Sequence, residues 1–333
     1  MNRIKLFMCL LALSLSFCGF AQESAQEIGS IEFISKKLSK IIKKNAQIEI
    51  IAEGCQFTEG PLWLEKEQML LFSDVPANTI YKWTQAKGKE LYLKPAGYTG
   101  SEPRGGFMGP NGLYLAEDGK LWICQHGDRR IASMDAPLDA PKPAFVTIAG
   151  EYDGKKLNSP NDLFMSDEGD LYFTDPAYGF EGGLRDPKKE LPFQGVYKMD
   201  KTGKVALLDD SLEFPNGIGI LPGGKTLLVA ETQGKKKGWH AYDITKDGSL
   251  ENGRVFYDAS SAEGMGGCDG LKMDKKGNVF ATGPGGVWIF AKKGKLIGKI
   301  KVNNLTAANC ALTPDGKTLF ITATQYVLRV KMR

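Results

Sequence analysis

From Glu59 onward one layout returns six times along the chain. A polar residue opens each copy, usually followed by glycine or another small residue. An apolar strand, a turn and a second apolar strand come next. The copies are EGPLWLEKEQMLLFSD from Glu59, NGLYLAEDGKLWICQ from Asn111, NDLFMSDEGDLYFTD from Asn161, NGIGILPGGKTLLVAE from Asn216, DGLKMDKKGNVFATG from Asp269 and NCALTPDGKTLFITA from Asn309. Their starts lie 52, 50, 55, 53 and 40 residues apart, and further strands such as TIYKWT, RIASMD, GVYKMD, HAYDIT and GVWIF follow them. A unit of this length with about four short strands cannot bury its apolar faces alone and must stack on its neighbours, as propeller blades do. A closed barrel has no reason to repeat at this period, and an outer-membrane barrel needs longer strands with an apolar outer face. The expected fold is therefore all-β: a six-bladed β-propeller over 47–333. The last copy reaches Arg333 after about three strands. The spare early strand QIEIIAEG (47–54) is placed to supply the fourth and close the ring.

The N-terminus reads differently. Residues 1–21 carry a basic start (Arg3, Lys5), an apolar run too short for a membrane span, and small residues at Gly19 and Ala21, the pattern of a secretory signal peptide cut after Ala21. A periplasmic or secreted bacterial protein follows, with no stable membrane insertion. A lipid anchor at Cys18 is the weaker alternative, because Phe17 stands where a small residue is wanted. Over 22–46, Ile31, Ile34, Leu38, Ile41 and Ile42 recur at helical spacing with lysines between them. They predict an amphipathic helix that packs its apolar stripe on the following domain. Setting Arg3 and Lys5 aside from the 43 basic residues leaves 41 against 39 acidic ones, no electrostatic footprint for nucleic acid or acidic lipid. Four cysteines remain: Cys55, Cys124, Cys268 and Cys310. None belongs to a CxxC or CxxH motif. Buried free thiols are the favoured reading, although an oxidising compartment permits disulfides and sequence cannot choose the pairing.

In a propeller the first strand of each blade lines the central channel, so the six opening residues share one mouth. They are Glu59, Asn111, Asn161, Asn216, Asp269 and Asn309. Turn chemistry explains asparagine and glycine at such places, but not Glu59. All six are oxygen donors, the set preferred by a hard cation, with calcium the best fit and Mg2+, Mn2+ or Zn2+ the alternatives. The two histidines, His126 and His240, fall in different blades, which argues against zinc.

Glu59 in EGPLW, Asn161 in SPNDL, Asn216 in FPNGI and Asp269 in CDGL resemble the metal-site motifs of the gluconolactonase/regucalcin (senescence marker protein) family. KPAGYTG, CQHGDRRI, LNSPNDL, YFTDPAYGF, LPFQGVYKMD and GPGGVWIF resemble its gluconolactonase branch, in order over roughly 50–330. The resemblance implies a six-bladed propeller with one divalent cation at the channel mouth, hydrolysing sugar lactones such as D-glucono-1,5-lactone. It implies Glu59, Asn216 and Asp269 as direct metal ligands and Asn161 at the metal or one water away. It places Asp175 and His126 near the substrate. Asn111 in the ring and Arg104, in the long loop before it, are further candidates for substrate contact. Where animal regucalcins hold substrate with an arginine two residues before the second-motif asparagine, this chain has Ser159, so other groups must hold the substrate hydroxyls. Asp269 is the candidate general base, turning water onto a lactone carbonyl polarised by the cation. An arylesterase or organophosphate hydrolase on the same cation site is one alternative. A non-catalytic ligand-binding propeller with a structural ion is another. The partner is a small molecule, and the chain is expected as a monomer or small homo-oligomer. Elsewhere, one of Arg129 and Arg130 is expected to be solvated and the other ion-paired, and Glu231 to face solvent. Trp63, Trp122 and Trp288 are expected in blade cores, and the polar insertion 182–193 over the mouth.

Overall fold

The computed structural model describes residues 28–234 and 237–333, and there each repeat folds into one antiparallel sheet. The innermost strands are Thr58–Leu64, Pro110–Leu115, Leu163–Met165, Pro215–Ile220, Leu271–Met273 and Ala307–Leu312, opening blades 1 to 6 in chain order. Three further strands follow outward in each of blades 1 to 5, paired as a meander. Blade 6 has only two more of its own, Thr318–Ala323 and Tyr326–Lys331. Its outer strand is Ile48–Ala52, whose Ile48 pairs with Val330 and Ile50 with Leu328. The strand left over at the start of the propeller sequence thus closes the ring, leaving no open edge between first and last blades.

Six apolar clusters fill the six blade interfaces. Leu71, Ile80, Leu121 and Ile123 lie between blades 1 and 2, and Phe173, Tyr197, Cys124 and Ile131 between 2 and 3. Val196, Ile218, Leu227 and Val229 lie between blades 3 and 4, and Trp239, Phe290, Leu271 and Ala281 between 4 and 5. Val287, Ile289, Ile321 and Leu328 join blades 5 and 6, while Phe72, Trp83, Phe320 and Val327 join 6 and 1. Each fully buried Phe or Leu here stabilises by about 1.5–3 kcal/mol. Trp63 stacks on Phe320 at 5.2 Å, Trp122 meets Tyr114 edge-on and Trp288 sits against Trp239, in keeping with blade-core roles. The four cysteines of the described residues are buried and free.

The N-terminal helix is a correction. Gly29–Phe33 is a strand that pairs with Lys295–Val302 as a fifth strand on blade 5, and only Leu38–Lys40 makes a 3-10 turn. Part of the apolar stripe still packs as expected, since Leu38 and Ile42 are fully buried between blades 5 and 6. Ile31 pairs with Ile300 in this edge strand, which an unpaired blade edge nearby favoured over a helix, while Ile34 lies just past the strand end and is exposed. The leader expected over 1–21, with Cys18, lies outside the described residues.

Candidate functional site

The six opening residues come together link by link around the channel. A Cβ on Gly60 would stand 1.9 Å from the Asn111 carbonyl oxygen, and one on Gly217 2.3 Å from that of Asp269, so only glycine lets these inner strands approach. The Gly112 N–H donates to the Asn161 carbonyl at 2.8 Å. Ser73 donates its hydroxyl to the Asn111 carbonyl at 2.8 Å, and Thr174 to that of Asn216 at 2.7 Å. The Thr282 hydroxyl reaches the carbonyls of Gly270 and Ala308. The ring closes where the Asn309 side chain meets the Glu59 carboxylate. In blades 1, 2, 4 and 6 the pairing register slips at the opening residue, a bulge that turns its side chain out of the ladder and toward the channel. In blades 3 and 5 the ladder begins only at Leu163 and Leu271, past Asn161 and Asp269.

All six opening side chains are buried, none more than 8% exposed. Yet Asn111 Oδ1, Asn161 Oδ1, Asn216 Oδ1 and Asp269 Oδ1 have no hydrogen-bond partner. Buried oxygens are rarely left so. For Asn216 the orientation has a cause: its Nδ2 donates to Thr232 Oγ1 at 3.0 Å, and that hydroxyl donates to the Cys268 carbonyl at 2.8 Å. The carbonyl end is thereby left facing the channel. Glu59 accepts the Gly60 N–H at 2.9 Å. Burial, with Asp162 alongside, pushes Glu59 up to about 7. Burial and the nearby Glu59 and Asp162 hold Asp269 well above the usual carboxylate range. These carboxylates are short of positive charge. Among the described residues no group of three or more His, Cys, Asp or Glu side chains closes into a metal cage. The mouth offers instead two carboxylates mixed with amide carbonyls.

Other expected site residues serve as supports. Asp175 is fully buried and accepts the backbone N–H groups of Asn158 and Ser159, both at 2.7 Å. It anchors the segment that presents Asn161. Asp74 does the same for Gln56 and Phe57 ahead of Glu59, and Glu231 for Glu213 ahead of Asn216. Glu231 is therefore buried, contrary to expectation, and its other oxygen meets His240 Nε2 at 2.9 Å. The Arg104 guanidinium donates to the carbonyls of Gly127 and Gly179 and lies over the Tyr98 ring, stitching two loops at the mouth. His126 Nδ1 meets the Phe107 carbonyl at 2.9 Å, while Nε2 is buried without a partner. Burial drives its pKa down to about 4, so the ring is neutral. Both arginines after it are tied down: Arg129 pairs with Glu190 at 2.9 Å and Arg130 with Asp128 at 3.0 Å, so neither is the solvated one. Through Glu190 and the Lys188 carbonyl, Arg129 fastens the 182–193 insertion to the body.

Two residues that face the site were not singled out from sequence. Tyr178, in YFTDPAYGF, stacks on Phe214 at 5.4 Å, and its enclosed hydroxyl lies beside Thr232 and Asn216. Asp162 stands where four of the other repeats carry glycine and the sixth carries Cys310. That departure was the signal that could have found it.

Fold and site together define a six-bladed propeller whose channel mouth is lined with buried, unsatisfied oxygen donors, a class suited to small polar substrates. Residues 57–325 match the family described as SMP-30/Gluconolactonase/LRE-like region, and the chain belongs to that family. The gluconolactonase of Zymomonas mobilis subsp. mobilis is 36% identical over 315 residues, spanning 92% of this chain and 87% of its own. The solved gluconolactonase of Xanthomonas campestris superposes with a TM-score of 0.77 at 28% identity, covering 91% of this chain and 95% of its own. The diisopropyl-fluorophosphatase of Loligo vulgaris is 28% identical over 205 residues, 59% of this chain and 63% of its own. The chain is a carboxylic ester hydrolase of the lactonase kind.

Proposed function

We propose that the chain opens aldonolactones, with D-glucono-1,5-lactone the first substrate to test, using one divalent cation at the channel mouth, calcium by preference. The observation that carries this reading is the set of buried oxygens without partners: Asn111, Asn161 and Asn216 Oδ1 with Asp269 Oδ1, beside Glu59. Their chemistry fits a hard cation, which accepts carboxylate and amide oxygens in loose geometry. Glu59, Asn216 and Asp269 would hold it, with Asn161 at the ion or one water away. A cation bound there supplies Lewis acidity toward the lactone carbonyl.

The chain's own groups do the rest. Asp269 takes a proton from water as the water oxygen bonds to the carbonyl carbon. The ring C–O bond breaks, and the proton passes to the leaving ring oxygen. The free acid product then ionises. Asn111 and Tyr178 are placed to hydrogen-bond substrate hydroxyls, and Asp175 and Arg104 keep the loops of the mouth in position. The leader read over 1–21 would deliver this activity to the periplasm or beyond.

Proton release from glucono-1,5-lactone tests the reading, measured after chelation and after restoring calcium or another divalent ion. Activity should vanish with chelator and return with metal. Rates unchanged after full metal removal would sink it. The partial likeness to a fluorophosphatase supports including an organophosphate in the same assay, and preference for that substrate would favour the second reading.

A further inference from the structure

Resting on the cation reading above, we propose that Lys272 is a built-in counterion: its ammonium sits in the channel against Asp162 and leaves the channel carboxylates needing only one divalent cation. Lys272 lies on the innermost strand of blade 5, Leu271–Met273, while Asp162 directly precedes the innermost strand of blade 3, Leu163–Met165. Their ion pair, Nζ to Oδ2 at 3.5 Å, therefore reaches past blade 4 across the channel. The same nitrogen donates to the Leu271 carbonyl at 3.1 Å. Its charge is felt by Glu59 of blade 1 and Cys310 of blade 6.

Asp162 has little else to balance it. One carboxylate oxygen accepts the Leu163 N–H at 2.9 Å, while the other is buried without a hydrogen bond. The side chain is only 4% exposed. Nor does the fold demand an acid there, since the matching residues are Gly60, Gly112, Gly217, Gly270 and Cys310. A buried ion pair is often no more stabilising than apolar packing, so its presence calls for another reason. Charge supplies one. Glu59, Asp162 and Asp269 carry three negative charges when ionised, and Lys272 returns one. The remainder is the charge of a single divalent cation.

The test uses the full chain as wild type, Lys272→Met, Asp162→Asn and the double variant, with thermal unfolding in EDTA and calorimetric titration with CaCl2. Lys272→Met should lower the unfolding temperature in EDTA by several degrees, and adding Asp162→Asn should restore most of it. Lys272→Met should also bind calcium on the order of tenfold more tightly, because a like charge near the ion is gone. The double variant should return toward wild-type affinity. Equal loss of stability in both backgrounds with unchanged affinity would mean that the lysine stem merely packs, and would overturn the proposal. If wild type binds no divalent cation, the cation reading and the claim about metal demand both fall. The unfolding cycle in EDTA separates that result from a failure of the Lys272–Asp162 pairing.

Discussion

Replacing Thr232 with valine removes one hydroxyl at nearly constant shape, and that hydroxyl has two partners. It accepts from Asn216 Nδ2 at 3.0 Å and donates to the Cys268 carbonyl at 2.8 Å. Cys268 is fully buried, so its carbonyl loses the Thr232 donor in a place water does not reach. A buried acceptor left in that state costs about 1–3 kcal/mol. The second consequence is orientational. Without its anchor the Asn216 amide can turn, and the oxygen aimed at the channel is no longer held there. Removing the hydrogen-bond partner of a metal ligand typically weakens metal affinity by about 10–100-fold. Thr232→Val should therefore lose about 1–3 kcal/mol in urea unfolding with EDTA present and bind calcium about 10–100-fold more weakly. Turnover at saturating calcium should stay much nearer wild type. Thr232→Ser, which keeps the hydroxyl, should behave as wild type in every assay. A valine variant with unchanged stability and unchanged calcium affinity would refute the claim that this hydroxyl orients Asn216.

Other expectations follow from the same geometry. Asp269→Asn should cut lactone turnover by at least about 100-fold, the scale of a lost general base. Because burial and the nearby Glu59 hold Asp269 well above the usual carboxylate range, it should also leave stability in EDTA equal or higher. An ion that only plugs the channel predicts a modest loss of turnover instead. His126 should set part of the acid sensitivity. Its pKa near 4 when folded lies below the unfolded value, so its contribution is full above about pH 6.5 and lost as pH falls through 4. The size is up to about 3 kcal/mol. Urea unfolding of wild type and His126→Gln at pH 7 and pH 4.5 checks this, and parallel losses in the two proteins would refute it.

Several features of the site were legible because they repeat. Glu59, Asn161, Asn216 and Asp269 announce themselves by standing at one register position in successive copies, where turn chemistry alone explains asparagine but not glutamate. The supports were harder to place. Asp175 and Glu231 close the second strand of their repeats, in YFTD and LLVAE, and nothing local says whether such an acid faces solvent or bends back onto backbone N–H groups. The fold answers by folding the preceding segment over the strand end, so that Asp175 meets Asn158 and Ser159. Ile31 fits a helix face or an edge strand, and a free blade edge chose the strand.

The order of the six repeats, the spare strand within 47–54 and the polar residue heading each copy were determined by the sequence alone. A repeat carries the same instruction many times, so local ambiguity averages out. Tertiary structure decided which groups meet across the channel. Asp162 and Lys272 are 110 residues apart and two blades away, and only closure of the ring brings them to 3.5 Å. It also decided which oxygens go without partners. That depends on bulges, close glycine contacts and the Thr232 hydroxyl, each a property of packed neighbours rather than of any one stretch of chain.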